Sequence, residues 1–413
     1  MAEFEAEEKI VMHYSDLTRR IAGEGSSAWA IHYRALARKA QGEDVIILSV
    51  GDPDFDTPTP IIEAAVASLR AGHTHYSDYR GDAELRQLIA DHYHRRDGIT
   101  ITPDDVVVLS GAQCGLFSTA LCLLEPGDEV IVPDPMYVTY EGVFGAAGAR
   151  VVNVPLRPED QFHLRIDDIV AVITPKTRAI LINSPQNPTG VSLSHAEWQS
   201  LADLCRQHDL WLIVDEVYAE LIFDGQHVNP ATLVGMSERM VLISSLSKSH
   251  AMTGWRLGWV VGPARLIEHI SNVALCMLYG VPTFIQAAAK IALAQTLPEV
   301  EQMKASYRRR RDLVCERLAA VPGCRVYRPQ GGMFVMLDIR ATQLTAKVFA
   351  ERLLDGYGVS VLAGEAFGTS AAGHVRLSLA VAESSLRIAC DRIARCIADL
   401  MATDKINSRQ AAR

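Results

Sequence analysis

The amino-acid sequence predicts an α/β protein with two units: a large one built on a mostly parallel, doubly wound sheet, and a smaller α+β one. Three observations carry that reading. Several short β-rich runs are apolar on both faces, as strands covered by helices on each side must be. Stretches of helical periodicity alternate with those runs. After about Glu299 the alternation gives way to a long amphipathic helix followed by two isolated strand-like runs.

Taken in order, helical periodicity covers residues 61–70, 83–95 and 115–124. The buried strand runs are 106–109, 129–132, 179–182, 211–214 and 241–243, each rich in Val, Ile or Leu. In the C-terminal portion, residues 331–337 and 375–379 read as strands of the smaller unit. That unit is expected to assemble with the segment near residues 13–60. The large unit is then 61–298, the small one 13–60 with 299–402, and 1–12 and 403–413 are loose termini.

Composition narrows the function. With 413 residues, 49% hydrophobic and 22% charged, the chain can bury a sizeable core. Its formal charge of −9 is the reverse of what a nucleic-acid binder carries. The one basic run, 308–311, lies in a helix-like stretch and is expected to be a solvated face. Eight scattered cysteines form no C-x-x-C pair and have no histidine at finger spacing, so no metal site and no disulfide framework is expected. Reduced thiols fit a cytoplasmic protein. The acidic segment 1–8 is not a secretory signal, and no run of about 18 apolar residues suggests a membrane helix.

In a doubly wound sheet ligands gather at the carboxyl ends of the strands, so chemistry is sought in the residues just after each buried run. After 106–109 comes Ser110-Gly111-Ala112-Gln113, small residues opening a helix, which reads as a phosphate cradle or equally as a tight turn. After 179–182 comes Asn183-Ser184-Pro185-Gln186-Asn187-Pro188-Thr189-Gly190. After 211–214 comes Asp215-Glu216-Val217-Tyr218, whose acid also suits a helix N-cap. After 241–243 comes Ser244-Ser245-Leu246-Ser247-Lys248, with Arg256 eight residues beyond the lysine. A lysine among hydroxyls with a nearby arginine suits a phosphate dianion and an amine nucleophile.

These motifs in this order resemble the class I/II aminotransferases. Asn187-Pro188-Thr189-Gly190, Asp215-x-x-Tyr218, Ser245-x-Ser247-Lys248 and Arg256 carry the likeness. It extends to Gly51-Asp52-Pro53-Asp54-Phe55-Asp56-Thr57-Pro58 near the start and Val375-Arg376-Leu377-Ser378 near the end. The resemblance implies fold type I, the cofactor pyridoxal 5′-phosphate (PLP), and a role for each matched residue. Lys248 would hold the cofactor as a Schiff base and later act as acid and base. Asp215 would pair with the pyridine nitrogen, and Asn187 and Tyr218 with the phenolic oxygen. Ser245, Arg256 and the backbone of Gly111, Ala112 and Gln113 would hold the phosphate, joined by Ser247. Tyr137 would stack on the ring, although a tyrosine there also serves for packing. Arg376, helped by the backbone of Gly51, would grip the substrate α-carboxylate. Tyr76 would reach the neighbouring subunit's phosphate, which implies a homodimer with shared active sites. One departure stands out: many relatives have two glycines and a lysine where this chain has Gly111-Ala112-Gln113.

Within the family, residues 244–263 and 361–368 are most similar to arginine–pyruvate aminotransferases. An arginine donor needs a carboxylate about one side-chain length beyond the reacting carbon. Glu365 and Asp78 are the candidates, with Asp52 and Asp16 behind them, and each also suits a surface or capping acid. An aspartate or aromatic aminotransferase is the alternative, although no second basic group for a distal carboxylate stands out. A PLP-dependent carbon–sulfur lyase uses the same scaffold. A PLP-binding transcription regulator is not expected, because the likeness already starts near residue 16.

Overall fold

The structure, a computed structural model, describes residues 12–22 and 29–411, with side chains up to residue 402. The expected loose segment at the N-terminus, apart from Met12, lies outside the described residues. A short strand β1 (Ile46–Ile47) precedes the seven strands of a central sheet. These are β2 (Val106–Leu109), β3 (Glu129–Asp134), β4 (Arg150–Pro155), β5 (Thr177–Asn183), β6 (Trp211–Asp215), β7 (Met240–Ser245) and β8 (Gly258–Val261). Their spatial order is β2-β8-β7-β6-β5-β3-β4. Neighbours run parallel except at β8, which is antiparallel to both β2 and β7.

The period of two along each strand builds a core on each face of this sheet. Val106, Val108, Ile180, Ile182, Leu212, Val214 and Leu242 belong to one buried cluster. Their immediate neighbours Val107, Leu109, Ala179, Leu181, Ile213, Val241 and Ile243 belong to the other. Only a sheet sandwiched between helices needs both sets apolar.

A third core lies around a four-stranded antiparallel sheet, in the order β12-β13-β10-β9. Its strands are β9 (Arg325–Tyr327), β10 (Phe334–Asp338), β12 (Leu362–Ala363) and β13 (His374–Ser378). Between them β11 (Val359–Ser360) pairs in parallel with β1, so the chain ahead of the large sheet is tied to the C-terminal part. The earlier helix Asp16–Arg20 lies elsewhere: Arg20 Nε donates to the Gly145 carbonyl at 2.8 Å, on the helix Tyr140–Ala146.

Two expectations from the sequence change. The run 308–311 is not a solvated face. Four consecutive helical residues make a full turn, so within the helix Pro298–Ala319 Arg308 and Arg309 face solvent while Arg310 and Arg311 are 7% and 0% exposed. Both inward arginines find acids, Arg310 with Asp54 and Arg311 with Asp224. At the other end, the helix Glu383–Ala411 runs into the expected tail as far as Ala411, since neither glycine nor proline interrupts it. Among the described residues no helix is long and apolar enough to cross a membrane.

Candidate active site

The carboxyl ends of β5, β6 and β7 open on a cavity of about 280 Å³, closed on the far side by β10 and β13. Asn183, the last residue of β5, organises two neighbours. Its amide donates to the Asp215 carbonyl at 2.9 Å, and its side-chain oxygen accepts from the Asn187 N–H at 2.7 Å. The end of β6 and the turn carrying Asn187 are thereby fixed to each other.

Three ionisable groups set the electrostatics. Lys248 Nζ donates to the Gly51 carbonyl at 2.6 Å, and burial pulls its pKa down to about 8. An amine with that value is a ready nucleophile near neutral pH. Asp215 is pushed up to about 6 by burial, against which the Tyr140 hydroxyl, donating at 2.7 Å, favours the charged form. Arg376 is 3% exposed and pulled down to about 10 by burial. Its Nη1 donates to Asn187 Oδ1 at 2.8 Å and its Nη2 to the Ser49 carbonyl at 3.0 Å. The guanidinium lies over the rings of Phe334 and Phe367, at 3.9 and 4.6 Å from their centres. Among the described residues it has no ion-pair partner, and its Nε has no hydrogen-bond acceptor. A buried, unpaired arginine beside a cavity calls for an anion.

The second anion-compatible corner lies where β2 ends. Gly111 caps the helix Ala112–Leu123 with φ +85° and ψ 165°, a backbone region open to glycine. A Cβ there would sit 2.5 Å from Arg256 Nη2. Arg256 Nη1 is steadied by the Thr253 carbonyl at 2.8 Å. Ala112, Gln113, Ser245, Ser247 and Arg256 all line the cavity here. Helix N–H groups, hydroxyls and a guanidinium around one point suit a phosphate. Gln113 takes its side chain to Thr139, whose hydroxyl donates to Gln113 Oε1 at 3.1 Å.

Tyr137 and Tyr218 also line the cavity, as do Gly51 and Asn187. Burial raises both phenols, so both remain hydrogen-bond donors at neutral pH. Three sequence candidates lie apart from it. Tyr76 is 84% exposed and packs against Tyr279, ring centres 4.7 Å apart. Asp78 is exposed and accepts from the Arg80 N–H at 2.8 Å. Glu365 Oε1 accepts from the N–H groups of Ala346 and Gly373, at 3.1 and 3.3 Å. Within this protomer the carboxylates of Asp78 and Glu365 accept from backbone groups and do not line the cavity. Asp16 pairs with Arg19 on the surface, and Asp52 accepts from the Thr253 hydroxyl at 2.7 Å beside the cavity. The sequence reading missed Tyr140, Asn183 and Trp29, all of which line the cavity. Asn183 had a signal, since it ends a buried run as Asp215 does.

A family model, described as aminotransferase class I and II, matches residues 43–393. The chain belongs to that family. As an aminotransferase it is 63% identical to the arginine–pyruvate transaminase AruH of Pseudomonas aeruginosa, over 94% of this chain and 99% of that protein. It is 37% identical to the aspartate/prephenate aminotransferase of Thermus thermophilus, over 92% and 98%. Among solved structures, the Thermus thermophilus aspartate aminotransferase with maleate superimposes with a TM-score of 0.89, at 36% identity over 94% of this chain and 100% of that one. This aminotransferase is a PLP-dependent transaminase of the α/β fold type I. The cavity fits that cofactor on its own chemistry. It offers an amine of lowered pKa, a buried carboxyl without a cationic partner in hydrogen-bond contact, and an anion cradle that any side chain at Gly111 would invade.

Proposed function

We propose that this aminotransferase moves the α-amino group of L-arginine to pyruvate, acting as a homodimer. The observation that carries the substrate is the 63% identity to an arginine–pyruvate transaminase over nearly the whole of both chains, against 37% for the aspartate/prephenate enzyme. Glu365 and Asp78 add no geometric support within this protomer, because neither lines the cavity.

The geometry supports a role for each residue. PLP, bound through Lys248, supplies a ring that accepts the electron pair left when the substrate Cα–H bond breaks. Asp215 stays ionised when a ring N–H faces it, because a fixed cation outweighs the burial that raises its pKa. Asn187 and Tyr218 donate to the phenolic oxygen, and Tyr137 stacks on the ring. Ser245, Ser247, Arg256 and the N–H groups of Gly111, Ala112 and Gln113 hold the phosphate. Arg376 binds the α-carboxylate, since Nη1 and Nη2 each donate only once within the protein and keep a second N–H. Phe334, Phe367 and Leu362 exclude water around that pair. Lys248 Nζ, released when the substrate amine takes its place on the cofactor, takes the Cα proton, a task for which a free-amine pKa near 8 is well placed. Tyr76, exposed in this chain, enters the partner's site in this reading.

The test is an amino-donor screen with pyruvate and with 2-oxoglutarate, read by keto-acid formation. Arginine with pyruvate should give 5-guanidino-2-oxopentanoate and alanine, with lysine a poorer donor because an ammonium lacks the planar fork. An inert arginine beside a fast aspartate or aromatic donor would overturn the substrate reading and leave the cofactor chemistry standing.

A further inference from the structure

The segment of residues 49–58 touches both ends of the reacting centre. Gly51 offers its carbonyl to Lys248 Nζ, and two residues earlier Ser49 offers its carbonyl to Arg376. On one side this segment is tied to the loop after β7. The Thr253 hydroxyl donates to Asp52 at 2.7 Å, the Thr57 hydroxyl to the Ala251 carbonyl at 2.6 Å, and the Trp255 indole to Thr57 at 3.0 Å.

On the other side it is held by one arginine. Arg310 donates through both terminal nitrogens to Asp54, at 2.6 and 3.0 Å, and through Nη1 to the Leu379 carbonyl at 3.0 Å. Leu379 follows the end of β13, three residues after Arg376. The guanidinium also lies over Phe55, 4.7 Å from the ring centre, and near Tyr307 at 5.5 Å. One planar fork thus references the chain beside the lysine amine and the strand that bears the carboxylate-binding arginine. A lysine could not span these acceptors with the same geometry.

We propose that Arg310, through Asp54, is a positioning residue for the transamination reaction: it sets the Gly51 carbonyl against Lys248 and holds that register to β13 and Arg376. This rests on the roles given above to Lys248 and Arg376. An ion pair that only stabilised the fold would act on melting alone. A positioning pair acts on the lysine nitrogen as well. Loosening residues 51–58 withdraws the Asp52 carboxylate, whose charge favours the protonated nitrogen whether it is the free amine or the imine of the holoenzyme, and with it the Gly51 carbonyl that the free amine meets. The pH at which the Lys248 nitrogen titrates should therefore fall.

The experiment compares holoenzyme of the wild type and of Asp54→Asn, which keeps the volume of a partly exposed side chain. Read-outs are the pH titration of the visible absorption without substrate, kcat and KM for the amino donor, and Tm. Expected are a titration midpoint lowered by about one unit and a KM raised roughly tenfold or more, the effect of displacing a hydrogen bond to a charged group. Asp54→Glu, which restores the charge, should recover part of both. A midpoint within about 0.2 unit of the wild type overturns the proposal whatever happens to Tm, because such a shift is too small to register a lost contact. If Asp54→Asn does not fold, Arg310→Lys is decided by the same midpoint. A wild-type protein without a visible band would instead refute the assignment of Lys248, which separates the two failures.

Discussion

Lys248 owes its reactivity to where it is buried rather than to any neighbour that takes its proton, since desolvation is the largest influence on it and lowers its pKa to about 8. The sign is direct: below that pH the amine is charged and inert, above it neutral and nucleophilic. In cofactor-free protein, acylation of Lys248 followed by peptide mapping should show a midpoint near pH 8, about two and a half units below that of surface lysines. A midpoint near the ordinary lysine value would show that the amine is solvated. Chain position put Lys248, Asp215 and Asn187 just after buried runs, and the resemblance of the ordered motifs to a known family is what gave each of them a role. What a side chain does with its polar end was not legible. Glu365 and Asp78 looked available and are used to cap backbone, whereas Tyr140, which reads as one more aromatic, holds Asp215.

Elements were readable in proportion to how completely they are covered. The five runs with two apolar faces all lie within strands of the central sheet. By contrast, β4 is mostly exposed or half-buried, with only Val154 buried, and carries no such run, so the sequence did not announce it. The same limit explains the helix Pro298–Ala319, where charge was taken as a sign of solvent although its inward arginines meet acids far off in the chain. The junction of β2 with the helix Ala112–Leu123 was the ambiguous one, a turn or a cradle. Gly111→Ala should decide it. The new Cβ is both strained at φ +85° and 2.5 Å from Arg256 Nη2. If the junction cradles phosphate, PLP affinity should fall roughly 10- to 150-fold, the range for one lost charged hydrogen bond, with the far-UV circular dichroism unchanged. Unaltered affinity by equilibrium dialysis would leave only a turn.

For the whole molecule, the exposed pair of Tyr76 and Tyr279 bears on assembly. If Tyr76 completes a partner's site, mixing Lys248→Ala chains with Tyr76→Phe chains should raise activity above either parent. One site of each mixed dimer then carries both defects and the other none. Exchange verified by mass spectrometry without recovery would place Tyr76 outside catalysis. Arg376 has a different consequence at this scale. A guanidinium sealed among aromatic rings with no acid beside it makes the resting protein harder to keep folded than the same protein holding a carboxylate. Substrate and product anions alike bind only the folded chain, so both act as its chaperones in the thermodynamic sense. By that linkage a saturating carboxylate ligand should raise the Tm and slow proteolysis of the protein, and an unchanged Tm would show that Arg376 is no burden to the fold.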